Sequence, residues 1–428
     1  MVRMLRFTGS SFALALGLLI AVAPNSSAQA VPGLSTAVVV PQSSIERPVD
    51  VGVRFHTHTL IESIHAAGQS ITITPNVAGP PFAGFAFETP ASLACVYRLV
   101  PVVPYCNPNI VTTNPSGGSK LIAVVDAYDN PNAMSDLNAF SQQFGLPQVT
   151  SSNFQVVYAA GIKPAEDPTG GWEGEVALDI EAIHAMAPGA KIVLVEAASN
   201  SGTDLFAAVT TAGNLVAAGG GGEVLMDWGG AEFSNEADSD ALFKNFAKVV
   251  FISSTGDTPG TSYPSVSPRV VAVGGSTIRR NFLGYGGLIG QSTWQNAGGG
   301  PSLYEPRPWY QDGVRTAFEQ TIRSFRGTPD IAFDGDPNTG VWIYDSFPMS
   351  DSPDGGVNGT NWYVFGGTSL SAAAVTGIIN VAGHFDASSP LELWRIYSHM
   401  GFKSAYHDII LGLFFVKYSS VLIRVNRG

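Results

Sequence analysis

The sequence predicts an α/β fold built on a doubly wound parallel sheet with helices on both faces. Two observations carry this. Short apolar runs recur at Leu121 to Val125, Phe154 to Tyr158, Lys191 to Val195, Glu223 to Met226 and Val249 to Ile252. Between them lie patterns of helical period, notably Val176, Ile180, Ile183 and Ala187, a stripe ended by Pro188-Gly189. Unbroken apolar strands alternating with helices indicate a sheet covered on both faces. Ligands of such sheets bind beyond the carboxyl ends of the strands, so polar residues at strand ends and helix starts are the candidates for chemistry.

Residues 1–30 read as an export signal. Arg3 and Arg6 precede the apolar stretch Phe12 to Val22, and Ser27-Ala28-Gln29-Ala30 places small residues at the cleavage positions. The apolar stretch is short for a membrane span, so a secreted or periplasmic protein with no membrane attachment after signal removal is expected. The chain has 428 residues, 45% hydrophobic and 13% charged, enough for one or two sizeable cores. With 34 acidic against 22 basic residues, its net charge of -12 argues against nucleic acid as a partner. Export implies an oxidising compartment, in which Cys95 and Cys106 either close a small loop or remain thiols. Asn114-Pro115-Ser116-Gly117-Gly118-Ser119 reads as a linker.

The seven histidines form no cluster with cysteine that would complete a metal site. Phe55-His56-Thr57-His58 alternates in a way that suits a strand. His184 falls within a helical pattern. In that same pattern Glu175 and Asp179 lie one turn apart at the shoulder of the apolar stripe. Like charges at this spacing destabilise a helix by about 0.2 to 0.5 kcal/mol, so the pair has little purely structural use. Partly buried neighbouring carboxyls titrate together, with one pKa pushed up, and one can act as base while the other holds it in place.

Asp257 follows the strand-like run in Ser253-Ser254-Thr255-Gly256-Asp257, where a protonated carboxyl can donate a hydrogen bond to an oxyanion. Ser369, in Gly366-Gly367-Thr368-Ser369, opens the apolar helix that continues through Ala372 to Ala382. A helix N-terminus favours an anion developing there, which makes Ser369 the candidate nucleophile. Asp126 reads as structural and Glu196 as a possible lining of the cleft. Gly219 to Gly222 precedes a strand and lacks the Lys-Ser/Thr of a phosphate loop.

Together these segments resemble the sedolisin family of serine-carboxyl peptidases, acid-acting relatives of the subtilisins. The resemblance runs from Leu121 to Asp129, through Glu175 and Asp179, the Ser254-Thr255-Gly256-Asp257 turn, Tyr263-Pro264 and Val270 to Gly275, to the serine turn and about as far as Gly412. It implies a subtilisin-like fold and hydrolysis of peptide bonds in peptides or unfolded proteins by a monomer at acidic pH. By resemblance Glu175 is the general base, Asp179 its orienting partner, Ser369 the nucleophile and Asp257 the oxyanion donor. It also implies that 31–118 is a short prosegment with its linker, and that 119–428 is the peptidase domain.

Three departures stand out. The family's substrate-pairing strand usually reads Ser-Trp-Gly-Gly; here Asp227-Trp228-Gly229-Gly230 places a carboxylate where bound peptide is expected. Ala373 replaces a Pro. The family's calcium cage follows an Asp-Ile pair, here Asp408-Ile409, but the tail Leu413 to Gly428 offers no carboxylate side chain. At best a partial calcium site is expected, in a chain that reads as truncated or frame-shifted, or as ending in a divergent strand. These departures leave room for a catalytically silent homologue that binds peptides or a protein partner.

Overall fold

The computed structural model describes residues 34–66, 73–75, 78–85, 87–281, 287–314, 316–352, 354–383, 386–399, 406–409 and 420–423. The expected signal over 1–30 lies outside the described residues, as does the tail Leu413 to Gly428 except for its strand Ser420–Ile423.

An eight-stranded sheet forms the centre. Its order is Gly287–Thr293, Val271–Asn281, Val249–Ser254, Gly222–Met226, Leu121–Ala127, Lys191–Ala197 and Phe154–Tyr158, with Ile331–Asp334 also paired to Val271–Asn281. The pairings are parallel except that between Gly287–Thr293 and Val271–Asn281. Each apolar run singled out from the sequence is one of these strands.

Alternation along the strands explains why the runs are unbroken, because successive side chains face opposite sides of a sheet. From Leu121–Ala127, Ile122 and Val124 enter a core shared with helices Ala133–Phe144, Gly171–Met186 and Thr368–Ala382. Ala123, Val125 and Ala127 enter a second core shared with helix Gly202–Ala218. Both faces are covered, so neither tolerates polar residues except where they are used. Helices Gly171–Met186 and Thr368–Ala382 pack tightly: a Cβ on Gly377 would stand 2.8 Å from Met186 Cβ. This close approach brings Glu175 and Ser369 together.

The chain ahead of the central sheet is built into the same body. Leu34–Val39 pairs antiparallel with Leu60–Ala66, which pairs antiparallel with Trp362–Gly366, the strand leading into the serine turn. His56–Thr57 forms a two-residue strand, in line with its alternation, and pairs with Trp228–Ala231. Helix Pro90–Val96 is capped by Thr89 in a capping box with Ser92. Cys95 and Cys106 are joined in a disulfide, which settles the cysteine alternative. At the far end Tyr406–Ile409 pairs antiparallel with Ser420–Ile423, with Asp408 opposite Val421. The side chains of Asp408 and Ile409 lie outside the described residues.

Candidate active site

Ser369 sits in the first turn of helix Thr368–Ala382 and is fully buried. Gly367, with φ 106°, makes the turn from strand to helix, in a conformation that L side chains rarely adopt. The Ser369 hydroxyl donates to the backbone oxygen of Asp227 at 3.4 Å, and its nearness to the Glu175 carboxyl favours that group's ionised form.

The stripe in Gly171–Met186 predicted one apolar face, but every residue of this helix is buried. Glu175 and Asp179 therefore lie wholly in the interior, where Asp227 and Asp126 join them, all without solvent exposure. Asp179 and Asp227 face each other with one oxygen of each within 4.8 Å, a closeness that two buried carboxyls accept most readily with a proton between them. Burial pushes Glu175, Asp179 and Asp227 well above the ordinary carboxylate range, and the charge of Asp126 adds to this in each case. Asp126, whose oxygens meet no donor among the described residues, is pushed by burial up to about 8. Within this group Glu175 accepts from the Thr59 hydroxyl and lies beside that of Ser369, and both favour its ionised form. It is the carboxyl best fitted to carry the cluster's negative charge.

One oxygen each of Glu175, Asp179 and Asp227 lie within 4.8 Å of one another. That spacing is compatible with a metal ion such as calcium, although three oxygens fall short of the six to eight that calcium takes.

Asp257 ends the strand-and-turn segment after Val249–Ser254. Its Oδ1 accepts from the Thr368 amide at 2.7 Å and from the Thr368 hydroxyl at 2.9 Å. Its Oδ2 is buried without a partner among the described residues. Burial raises Asp257 to about 7, against the pull of the Thr368 bonds. A carboxyl held protonated there presents a hydrogen-bond donor beside the serine turn.

The residues 56–59 lie across this constellation. His56 pairs with Gly229 and Thr57 with Trp228, and Trp228 in turn donates its Nε1 to Val125 O at 2.7 Å. Ser369 N donates to His58 O at 3.3 Å. A Cβ on Gly367 would collide with that same oxygen and stand 2.8 Å from Asp257 Oδ2. The next residue, Thr59, donates its hydroxyl to Glu175 Oε2. The strand Trp228–Ala231 thus pairs with residues 56 and 57, and the next carbonyl, that of His58, accepts from the serine amide in the neighbourhood of Asp257.

The Asp227 carboxyl lies among the acids, while Trp228 and Gly229 pair with the segment and Gly230 pairs with Tyr263. Glu196, read as a cleft lining, accepts from the Asn130 amide at 3.0 Å. Sequence reasoning missed His58, Thr59 and Ser254. The alternation at 55–58 was the signal that this segment pairs as a strand, and nothing local told with what.

No family model matches the chain. Kumamolisin of Bacillus sp. (strain MN-32) is 33% identical over 257 residues, covering 53% of this chain and 44% of its own length. Sedolisin of Pseudomonas sp. (strain 101) is 24% identical over 297 residues, covering 62% of this chain and 47% of its own length. The chain therefore spans less than half the length of these curated relatives. The solved structure of Pseudomonas sedolisin, a serine-carboxyl proteinase complexed with two molecules of pseudo-iodotyrostatin, superposes with a TM-score of 0.60 at 23% identity, over 76% of this chain and 89% of that one. In sequence the chain is thus similar to kumamolisin and sedolisin, and it has the subtilisin-like fold of Pseudomonas sedolisin.

Proposed function

We propose that the chain is a secreted or periplasmic serine-type endopeptidase that hydrolyses peptide bonds in peptides or unfolded proteins at acidic pH. Ser369 Oγ attacks the carbonyl carbon as Glu175 takes its proton, and Asp179 holds Glu175 in place. The Ser369 amide and protonated Asp257 stabilise the oxyanion. The tetrahedral adduct collapses as the C–N bond breaks and Glu175 returns the proton to the leaving amine. Water then hydrolyses the acyl-enzyme by the same steps, and Ser369 is restored.

The observation that carries this reading is the His58 carbonyl, which accepts from the Ser369 amide within a peptide strand paired to Trp228 and Gly229. The relatives named as a serine-carboxyl proteinase and its kin support the same chemistry. Acidic operation is supported by Asp257, which keeps its proton only below about 7. Asp227, Trp228, Gly229 and Gly230 form the substrate-binding strand in this reading. Residues 1–30 serve as the signal, and 31–118 as a prosegment whose residues 56–59 hold the cleft until displaced. A partial calcium site at Asp408 and Ile409 stays an expectation, with no catalytic step assigned to it. Among the described residues no helix is long and apolar enough to cross a membrane.

A silent, peptide-binding homologue is the second reading, favoured by Asp227 and by the occupied cleft. Incubating the chain with a denatured protein between about pH 3 and 7, beside Ser369→Ala, separates the two. Serine-dependent fragments support the peptidase. Equal inertness of both chains supports the silent reading.

A further inference from the structure

The segment in the cleft also shows what kind of side chain the cleft accepts. His58 supplies the carbonyl at Ser369, so its side chain occupies the position just before the bond to be cut. That side chain is buried, with Nδ1 2.8 Å from Ser254 Oγ. Ser254 is itself fully buried at the end of strand Val249–Ser254. The walls are glycine. A Cβ on Gly229 would stand 2.7 Å from His58 Cε1 and 3.2 Å from Nε2, and one on Gly256 would stand 3.7 Å from Nε2.

We propose that Ser254, Gly229 and Gly256 form a pocket selective for histidine before the scissile bond, with His58–Thr59 as the bond first presented to it. The selectivity follows from what other side chains leave behind. A phenyl ring fills the same flat slot but takes away the hydrogen bond of a buried hydroxyl, a loss of about tenfold or more. An aliphatic chain loses both the bond and the contact with the glycine walls. Lysine or arginine brings a full charge into a dry site lined by glycine, which is costlier still. The neutral imidazole satisfies Ser254 without that cost. Cleavage there adds one water across the His58 C to Thr59 N bond, leaving a carboxyl on His58 and an amine on Thr59.

This inference rests on the peptidase reading for its kinetic test, so it is paired with a measurement that needs no turnover. In the kinetic test the full chain is given a peptide copying residues 54–61, or the same peptide with Phe, Ala or Arg at the His58 position. The comparison is made near pH 6.5, before the free imidazole gains most of its proton, and there the histidine peptide should be cleaved at the copied bond about tenfold faster than the phenylalanine peptide. Ser254→Ala should bring that ratio toward one. Serine-dependent digestion of denatured protein without a histidine preference overturns the pocket and leaves the peptidase standing.

In the second measurement, amide exchange is followed across residues 56–66 of Ser369→Ala. Adding His58→Phe or Ser254→Ala should speed exchange by about tenfold, because the segment loses its anchor. Unchanged protection in both double variants overturns the pocket whether or not the chain is a peptidase.

Discussion

A buried carboxyl that keeps its proton makes the folded chain an acid-stable one, and the effect is large enough to measure directly. Asp126 and Asp257 are raised from 3.8 to about 8 and about 7, in both cases chiefly by burial. Between the unfolded and folded pKa values, the unfolded chain has shed the proton and the folded chain still holds it. The folded state then binds more protons, so stability falls as pH rises, by about 1.4 kcal/mol per pH unit for each such group. One carboxyl held from about pH 4 to about pH 7 removes about 4 kcal/mol of stability across that range. Two remove about 8 kcal/mol, against a total of about 5 to 15 kcal/mol for a whole domain.

The catalytically dead Ser369→Ala chain is the sample, so that self-digestion does not mimic unfolding. Urea unfolding followed by tryptophan fluorescence from pH 4 to 7.5 should show a midpoint that falls with pH at constant slope m. Asp126→Asn supplies the control, because a neutral amide has no proton to lose. Its stability should decline less steeply, by about 1.4 kcal/mol per pH unit between about 4 and 8. A midpoint that is flat or rises toward neutrality would refute the claim that these carboxyls stay protonated in the fold.

Four other outcomes are expected. If Asp257 donates as an acid, Asp257→Asn keeps a donor above pH 7 and extends activity upward, while Asp257→Ala loses about 10²- to 10³-fold in kcat; identical pH profiles would remove Asp257 from the mechanism. Glu175→Ala and Asp179→Ala should each abolish most of the rate, and the double variant should lose little more, whereas full activity in Glu175→Ala rules out its role as base. Gly367→Ala places a Cβ against the His58 carbonyl at a φ of 106°, so it should expel residues 56–59, read as faster exchange there, and lose activity. Finally, burial and the charge of His56 lower His58 from 6.5 to about 3. The displaced segment then holds a proton more tightly than the bound one, so acidification from pH 6.5 to 4 should favour release by about two orders of magnitude. His58→Gln should lose that dependence in a pH series of amide exchange.

How far this was legible from sequence follows from which contacts are local. The parallel strands were legible because both of their faces are buried, which writes each one as an apolar run. The proposed set Ser369, Glu175, Asp179 and Asp257 could be singled out because each sits in a distinctive local turn or helix pattern. The complete burial of Gly171–Met186 was not, because part of its cover is the segment 42–60, more than a hundred residues earlier in the chain: Gly171 lies against Ser43, and Glu175 against Thr59. The apolar stripe shows only which face meets the sheet. Nor could the sequence show where Asp227 points. On the strand it reads as a charge facing bound peptide, yet its carboxyl lies inward near Asp179, so the peptide pairs with Trp228 and Gly229 without meeting that charge.

That inward placement gives the substitution a physical logic. A serine at this position would add no charge to the acid group, whereas Asp227 adds one that the interior accepts most readily with a proton shared with Asp179. The cost of ionising any member therefore rises with each acid already ionised, and the hydroxyls of Ser369 and Thr59 direct the charge that remains to Glu175. Thr59 belongs to the cleft's occupant. Its departure removes one of the donors that hold Glu175 ionised, and an incoming peptide must replace that donor or leave the base harder to ionise. Occupancy of the cleft and the charge on the base are in this way coupled through a single hydroxyl, and Thr59→Val isolates the coupling. It should leave the pairing of His56 with Gly229 in place while removing the donor from Glu175. Segment protection that stays intact, together with a Glu175 titration moved upward, is the expected result; a titration that does not move would show that Thr59 only fills space.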